Sequence, residues 1–180
     1  MLANLRALFS VVVDIILLRR GPEQVPASTV LLAVTVAIYL AISAMVVASV
    51  ATTDGNWPVE LIIGAASMLV WYRVALQLAK KRERFPQTMT AMFGVSTIFA
   101  PLLVPMMNSV ATQVQARQQP SQFITMLALF LLVWMIVVFV RIVRAAFEWP
   151  WPAALLLVIG QEIFSVVVFV LVFGAPAGAT

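Results

Sequence analysis

The chain contains neither cysteine nor histidine. That excludes a disulfide framework, a thiol nucleophile, a Cys/His zinc site, bis-histidine or c-type haem, and any catalytic triad built on imidazole. Charge is scarce too: Asp, Glu, Lys and Arg make up 10 % of the residues, where an ordinary globular chain carries about 25 %. The 7 glycines are scattered, and no GxxxxGK or GxGxxG loop cradles a phosphate. What remains is apolar, 63 % of the chain against about 45–50 % in soluble domains. A chain of 180 residues is one domain long, and this composition makes it a polytopic membrane protein.

Five stretches, roughly 28–50, 60–78, 88–111, 123–140 and 152–174, are long and apolar enough to span about 30 Å of hydrocarbon. Turn chemistry separates them: ATTDGNWP, KKRERFPQ, ARQQPSQ and FEWPWP. In residues 1–27, Arg6, Ser10 and Asp14 recur every four positions and draw a polar stripe on an apolar helix, LRALFSVVVDIILLRR, followed by a Pro-containing turn. Such a helix lies in the plane of the interface. A signal peptide fits less well, because Asp14 interrupts the apolar run and no small-residue cleavage site follows. The expected fold is an all-α integral membrane protein: an amphipathic interfacial helix in 1–27, then a five-helix transmembrane domain in 28–180.

Orientation follows from the cations. With the amino terminus cytoplasmic, that side holds Arg6, Arg19, Arg20, Arg73, Lys80, Lys81, Arg82, Arg84, Arg141 and Arg144, ten of the 11, and only Arg117 lies opposite. The carboxyl terminus is then expected outside, across the membrane from the amino terminus. The basic residues sit beside apolar runs and not along a soluble face, so they are topology signals and no nucleic acid is expected. Trp57, Trp71, Trp149 and Trp151 are expected at headgroup level near span ends.

Within the spans, Ala33, Ala37, Ala41, Ala44 and Ala48 form a small-residue ridge that lets another backbone approach closely, so the first span is expected at the bundle centre. The fourth span, FITMLALFLLVWMIVVFV, has almost no small or polar residues and is expected to face lipid, the alternative being a smooth bulky face that docks a partner. Gln161 and Glu162 lie roughly 15 Å into the fifth span at 1.5 Å per residue. Three roles suit Glu162: an ion pair with Arg73 on the second span, a protonated carboxyl hydrogen-bonded to a neighbouring helix, or a proton or ion pathway. Pro101 and Pro105 each remove a helix hydrogen bond, share a face above Asn108, and are expected to kink the third span. Arg19, Arg20, Lys80, Lys81, Arg82 and Arg84 would lie at an anionic inner leaflet, as topology determinants or lipid contacts. The methionines are packing residues, and no metal or cofactor is expected.

The stretch RFPQTMTAMFGVSTIFAPLLVP resembles the third-span region of the Yip1 family of five-span membrane proteins, in Phe85, Gln87, Thr88, Phe93, Gly94 and Pro101. The five-span layout is similar as well. Eukaryotic members carry an Asp-Leu-Tyr-Gly-Pro motif before the first span, where this chain has LLRRGP and keeps only Gly21 and Pro22. The resemblance therefore implies the bacterial Yip1-like type and a fold more than an activity. With no catalytic set, the expectation is a non-enzymatic accessory, scaffolding or assembly subunit whose partners are the lipid bilayer and other membrane proteins or copies of itself. The alternatives are a small oligomeric transporter or channel using Glu162 and the third span, and a lipid-handling or membrane-shaping protein.

Overall fold

The computed structural model describes residues 2–50 and 56–174. Among them are six α-helices and no strand: α1 Leu2–Ile16, α2 Thr29–Val50, α3 Trp57–Leu78, α4 Phe85–Gln115, α5 Gln122–Phe147 and α6 Trp151–Phe173. The last five are long and apolar enough to cross a membrane. Three of them open on an aromatic residue followed by proline: Trp57-Pro58, Phe85-Pro86 and Trp151-Pro152. Proline suits the first turn, where its missing N–H would have had no partner in the helix. At the other ends, Leu18, Lys80, Arg117 and Glu148 adopt the left-handed conformation. There the Lys81 and Gln118 N–H groups reach back to the Leu76 and Gln113 carbonyls and close α3 and α4.

The core is organised around α4. Every residue from Thr88 to Val95 is buried, so this stretch has no outward face. A helix covered all round lies at the centre of its bundle. The helix α4 packs chiefly on α2 and α5, with α6 completing the bundle against α5 and α3. Tyr72 and Leu76 of α3, Val138, Phe139, Val140, Ile142 and Val143 of α5, and Val158 of α6 supply much of the remaining core. This core is concentrated at the end holding residues 80–84 and 145–150, called here the basic end.

Several elements differ from their expected places. The ridge of α2 faces outward: Ala33, Ala37, Ala41 and Ala48 are exposed and Ala44 is half-buried. Leu32, Thr35 and Ser43, a half-turn round the helix, are the buried residues of α2. The helix α4, not α2, is therefore central. The helix α5 continues beyond residue 140 to Phe147, and its final turns enter the core while Phe123, Met126, Phe130 and Val133 stay exposed. Its lipid-facing character is confined to one half. Trp71 is no boundary residue, because its indole N–H donates to the Leu157 carbonyl at 3.2 Å and its ring packs on Phe164. The helix α4 continues past Pro101 and Pro105 as one element, as a helix bent at proline also does.

The first helix is docked, not merely laid on a surface. Val12 and Ile15 are buried, and the Trp134 indole donates to the Ile16 carbonyl at 3.1 Å, covering an oxygen left open at the end of α1. Of the polar stripe, Ser10 is exposed and Asp14 pairs with Arg20 at 3.0 Å; the Arg6 side chain lies outside the described residues. So do residues 51–55 of the ATTDGNWP turn and residues 175–180.

Gly94 is what lets α1 approach α4: a Cβ built there would stand 2.7 Å from Val12 Cγ2. Glycine to alanine inside a helix normally gains about 1 kcal/mol, so the sign of the effect reports this contact. Gly94→Ala is expected to destabilise the fold by about 1–3 kcal/mol through overpacking. Adding Val12→Ala should recover most of the loss in denaturant unfolding of the detergent-solubilised protein.

Candidate functional site

Gln161 and Glu162 are neighbours in sequence and point apart. Successive residues on a helix are about 100° apart, and the fold places the amide inside and the carboxylate outside. Gln161 is buried and donates through Nε2 to Ser165 Oγ at 3.0 Å, and Ser165 Oγ lies 3.0 Å from Ser67 Oγ of α3. Ser67 also donates to the Gly64 carbonyl at 2.9 Å. With the Trp71 bond, this makes a polar seam between α3 and α6. Gly160 keeps the seam tight, because a Cβ there would lie 2.9 Å from Trp71 Cζ2.

Glu162 is exposed on the side of α6, beside exposed Ile159, Ile163 and Val166. It makes no hydrogen bond or ion pair among the described residues. The ion pair with Arg73 is not formed: the Arg73 guanidinium lies 5.1 Å above the Phe85 ring, toward the basic end. Two interior hydroxyls are also unsatisfied: Tyr72 Oη of α3 and Thr90 Oγ1 of α4 are buried without a hydrogen-bond partner among the described residues. Elsewhere the apolar helices settle such groups internally, as where Thr35, Thr88 and Thr97 donate to the carbonyl four residues back.

The α4 residues singled out from the sequence hold the framework. Asn108 Nδ2 donates to the Val50 carbonyl at 3.3 Å, covering an open oxygen at the end of α2. Gln87 Nε2 donates to the Val25 carbonyl at 3.0 Å and ties down the segment before α2. Phe93 packs on Tyr39 with ring centroids 5.1 Å apart. Pro101 borders an apolar groove of about 340 Å³ between α1, α2 and α4, lined by Phe9, Val12 and Thr35 among others. Pro105 is half-buried within the same helix.

At the basic end the KKRER loop is divided. Lys81 Nζ reaches Glu148 Oε2 at 2.6 Å and the Phe147 carbonyl at 2.9 Å. Arg84 reaches Glu148 Oε1 at 2.6 Å and the carbonyls of Ala145 and Ala146 at 3.1 Å. Both cations therefore cap the negative end of α5, where open carbonyls and the helix dipole favour positive charge. Arg20 is taken by Asp14. Arg19, Lys80 and Arg82 are exposed. Sequence reasoning missed Glu148, which lies in a loop like any other; the signal available was its position at the helix end opposite the basic run. It also counted Arg141 and Arg144 only as topology signals, whereas both stand exposed on α5. No group of three or more Asp or Glu able to hold a metal occurs among the described residues.

Lys81 first and then Arg84, each hydrogen-bonded to Glu148, hold its carboxyl below the usual glutamate range. A depressed folded pKa contributes stability that is present above the ordinary value, about 4.3, and lost as the pH falls through the folded value. Glu148→Gln is expected to melt at a lower temperature than wild type at pH 7. The gap between the two should close as the pH drops below about 4, followed by thermal unfolding in detergent.

Compared with protein-family models, with curated proteins and with solved structures, the chain matches none.

Proposed function

We propose that this is an integral membrane accessory or assembly subunit, not an enzyme, that binds another membrane protein through the face of α6 carrying Glu162. One observation carries this: a carboxylate about 16 Å along a bilayer-length helix at 1.5 Å per residue, exposed at the bundle's side and without an internal partner. A charged side chain at that depth costs roughly 2.5–3.5 kcal/mol on insertion scales, and such groups are normally paired. A neighbouring helix with a cation or a hydrogen-bond donor would remove the cost. The outward ridge of α2 offers a second surface on which small residues permit close helix contact. A bacterial inner membrane, a cytoplasmic basic end and kinship with the Yip1-like proteins belong to the same proposal. They rest on the cation asymmetry and on the motif from Phe85 to Pro101.

A second reading has its own support. Glu162 has no partner among the described residues, and Tyr72 Oη and Thr90 Oγ1 are buried without one. A small oligomeric transporter would use such groups for an ion or a proton.

A photo-crosslinking residue at Ile163 or Val166 in native membranes separates the two. An accessory subunit should crosslink one stoichiometric membrane protein from this face and not from Phe130 of α5. Glu162→Gln should weaken that complex by tenfold or more, an interaction of about 1.4 kcal/mol, while the melting temperature stays within about 2 °C. Crosslinks only to lipid, together with ion flux into liposomes that Glu162→Gln abolishes, would replace this proposal with the transporter.

A further inference from the structure

The capped end of α5 leaves two arginines over. Arg141 and Arg144, one turn apart, line an open concavity of about 480 Å³ together with Ala145, Glu148 and Trp149. Glu148 is the single acid of that lining, and both of its oxygens are taken by Lys81 and Arg84. Arg141 and Arg144 are exposed and make no hydrogen bond or ion pair among the described residues. Two cations thus hold the one carboxylate, and the two arginines that share its concavity have no anion to meet among the described residues.

Their height along the helix matters. The apolar stretch 123–140 of α5 spans about 27 Å at 1.5 Å per residue, close to the hydrocarbon thickness, and Arg141 is the next residue. The exposed rings of Trp149 and Trp151 lie at the same end, the level indoles favour. Below Arg141 and Arg144 the same face of α5 passes through half-buried Val137 and then Val133, Phe130, Met126 and Phe123, all exposed. A cationic cup at headgroup level is therefore followed, along one helix face, by an apolar stripe that is partly covered for about two turns and open from Val133 onward.

We propose that Arg141, Arg144 and Trp149 bind the phosphodiester headgroup of an anionic phospholipid whose acyl chain lies along that stripe. Guanidinium groups present paired N–H donors that fit two phosphate oxygens at once. Basic pockets at helix ends on the membrane face are the usual setting for such contacts. The stripe distinguishes a lipid from free phosphate, which has nothing to place there. This site is independent of the Glu162 proposal, since it lies on a different helix and face.

The test is native mass spectrometry of the full chain released from mixed micelles holding equal phosphatidylglycerol and phosphatidylcholine of matched acyl length. Wild type is expected to retain phosphatidylglycerol selectively. Arg141→Gln with Arg144→Gln should reduce that preference about thirtyfold, the loss of two surface guanidiniums. Lys80→Gln with Arg82→Gln, which removes the same charge from the exposed loop, should leave it within about twofold, a difference of less than 0.5 kcal/mol. Because the readout is a ratio within the folded population, a less stable variant still reports. Equal retention of the two lipids, equal losses in the two double variants, or displacement of the bound lipid by millimolar inorganic phosphate would each overturn the proposal.

Discussion

The architecture depends on one helix being covered on every side. From Thr88 to Val95, α4 is buried all round, with α1, α2, α3 and α5 packed about it. In lipid such burial is not driven by hiding apolar surface, because acyl chains are as apolar as leucine; dispersion and hydrogen bonds must carry it. Hence the weight falls on close approach. Ala91 and Gly94 sit in the covered stretch, and Gly94 admits Val12 where a methyl group would collide. Gly160 does the same for Trp71 between α3 and α6, where the indole also finds a carbonyl. Close approach at glycine is thus joined by side-chain hydrogen bonds between elements, as from Trp71 to Leu157, Trp134 to Ile16 and Asn108 to Val50.

The basic end solves a different problem. A helix of 26 residues that ends inside a packed bundle leaves carbonyls at its negative terminus. Lys81 and Arg84 cover those of Ala145, Ala146 and Phe147, and Glu148 in its left-handed turn holds both cations there. One carboxylate therefore joins the connection between α3 and α4 to that between α5 and α6. The arrangement also sorts the cations. Those nearest the acid become structural, and those one and two turns earlier on α5 stay available to the membrane.

Hydropathy made the spans legible, because crossing length needs only a count of apolar residues. It marks where lipid stops, which is not where the helix stops: α5 runs on through Arg141 and Arg144, both good helix formers. The direction of each face was not legible. On α2 two stripes lie a half-turn apart, the alanines and the set Leu32, Thr35 and Ser43, and either could pack by composition. The helix α4 took the second, where Tyr39 of α2 meets Phe93. For α1 the apolar face was clear, but a face immersed in lipid and one docked on α4 have the same residues. The depth of Gln161 and Glu162 could be counted from the span start, whereas which one meets α3 depends on a neighbour 98 residues away from Ser165. Glu148 was hidden for the same reason: its partners are more than 60 positions distant, and no local pattern announces them.

Polar groups divide between interior and exterior in a way that bears on function. Gln161, Ser165, Ser67, Gln87 and Asn108 are paired within the chain and fix helices to one another or to a loop. Among the described residues, Glu162 is unpaired on the outside of α6, and Arg141 and Arg144 are unpaired on the outside of α5. In water an exposed charge needs no protein partner; at bilayer depth it does, and the demand grows with distance from the headgroups. The arginines can meet theirs in phosphate at the membrane surface. Glu162 has no such recourse, since the region it faces contains only hydrocarbon unless another helix, a second copy or an ion path occupies it. Among the described residues, the acidic group at mid-span thus sets the strongest external requirement, and the proposed partner helix is placed to meet it.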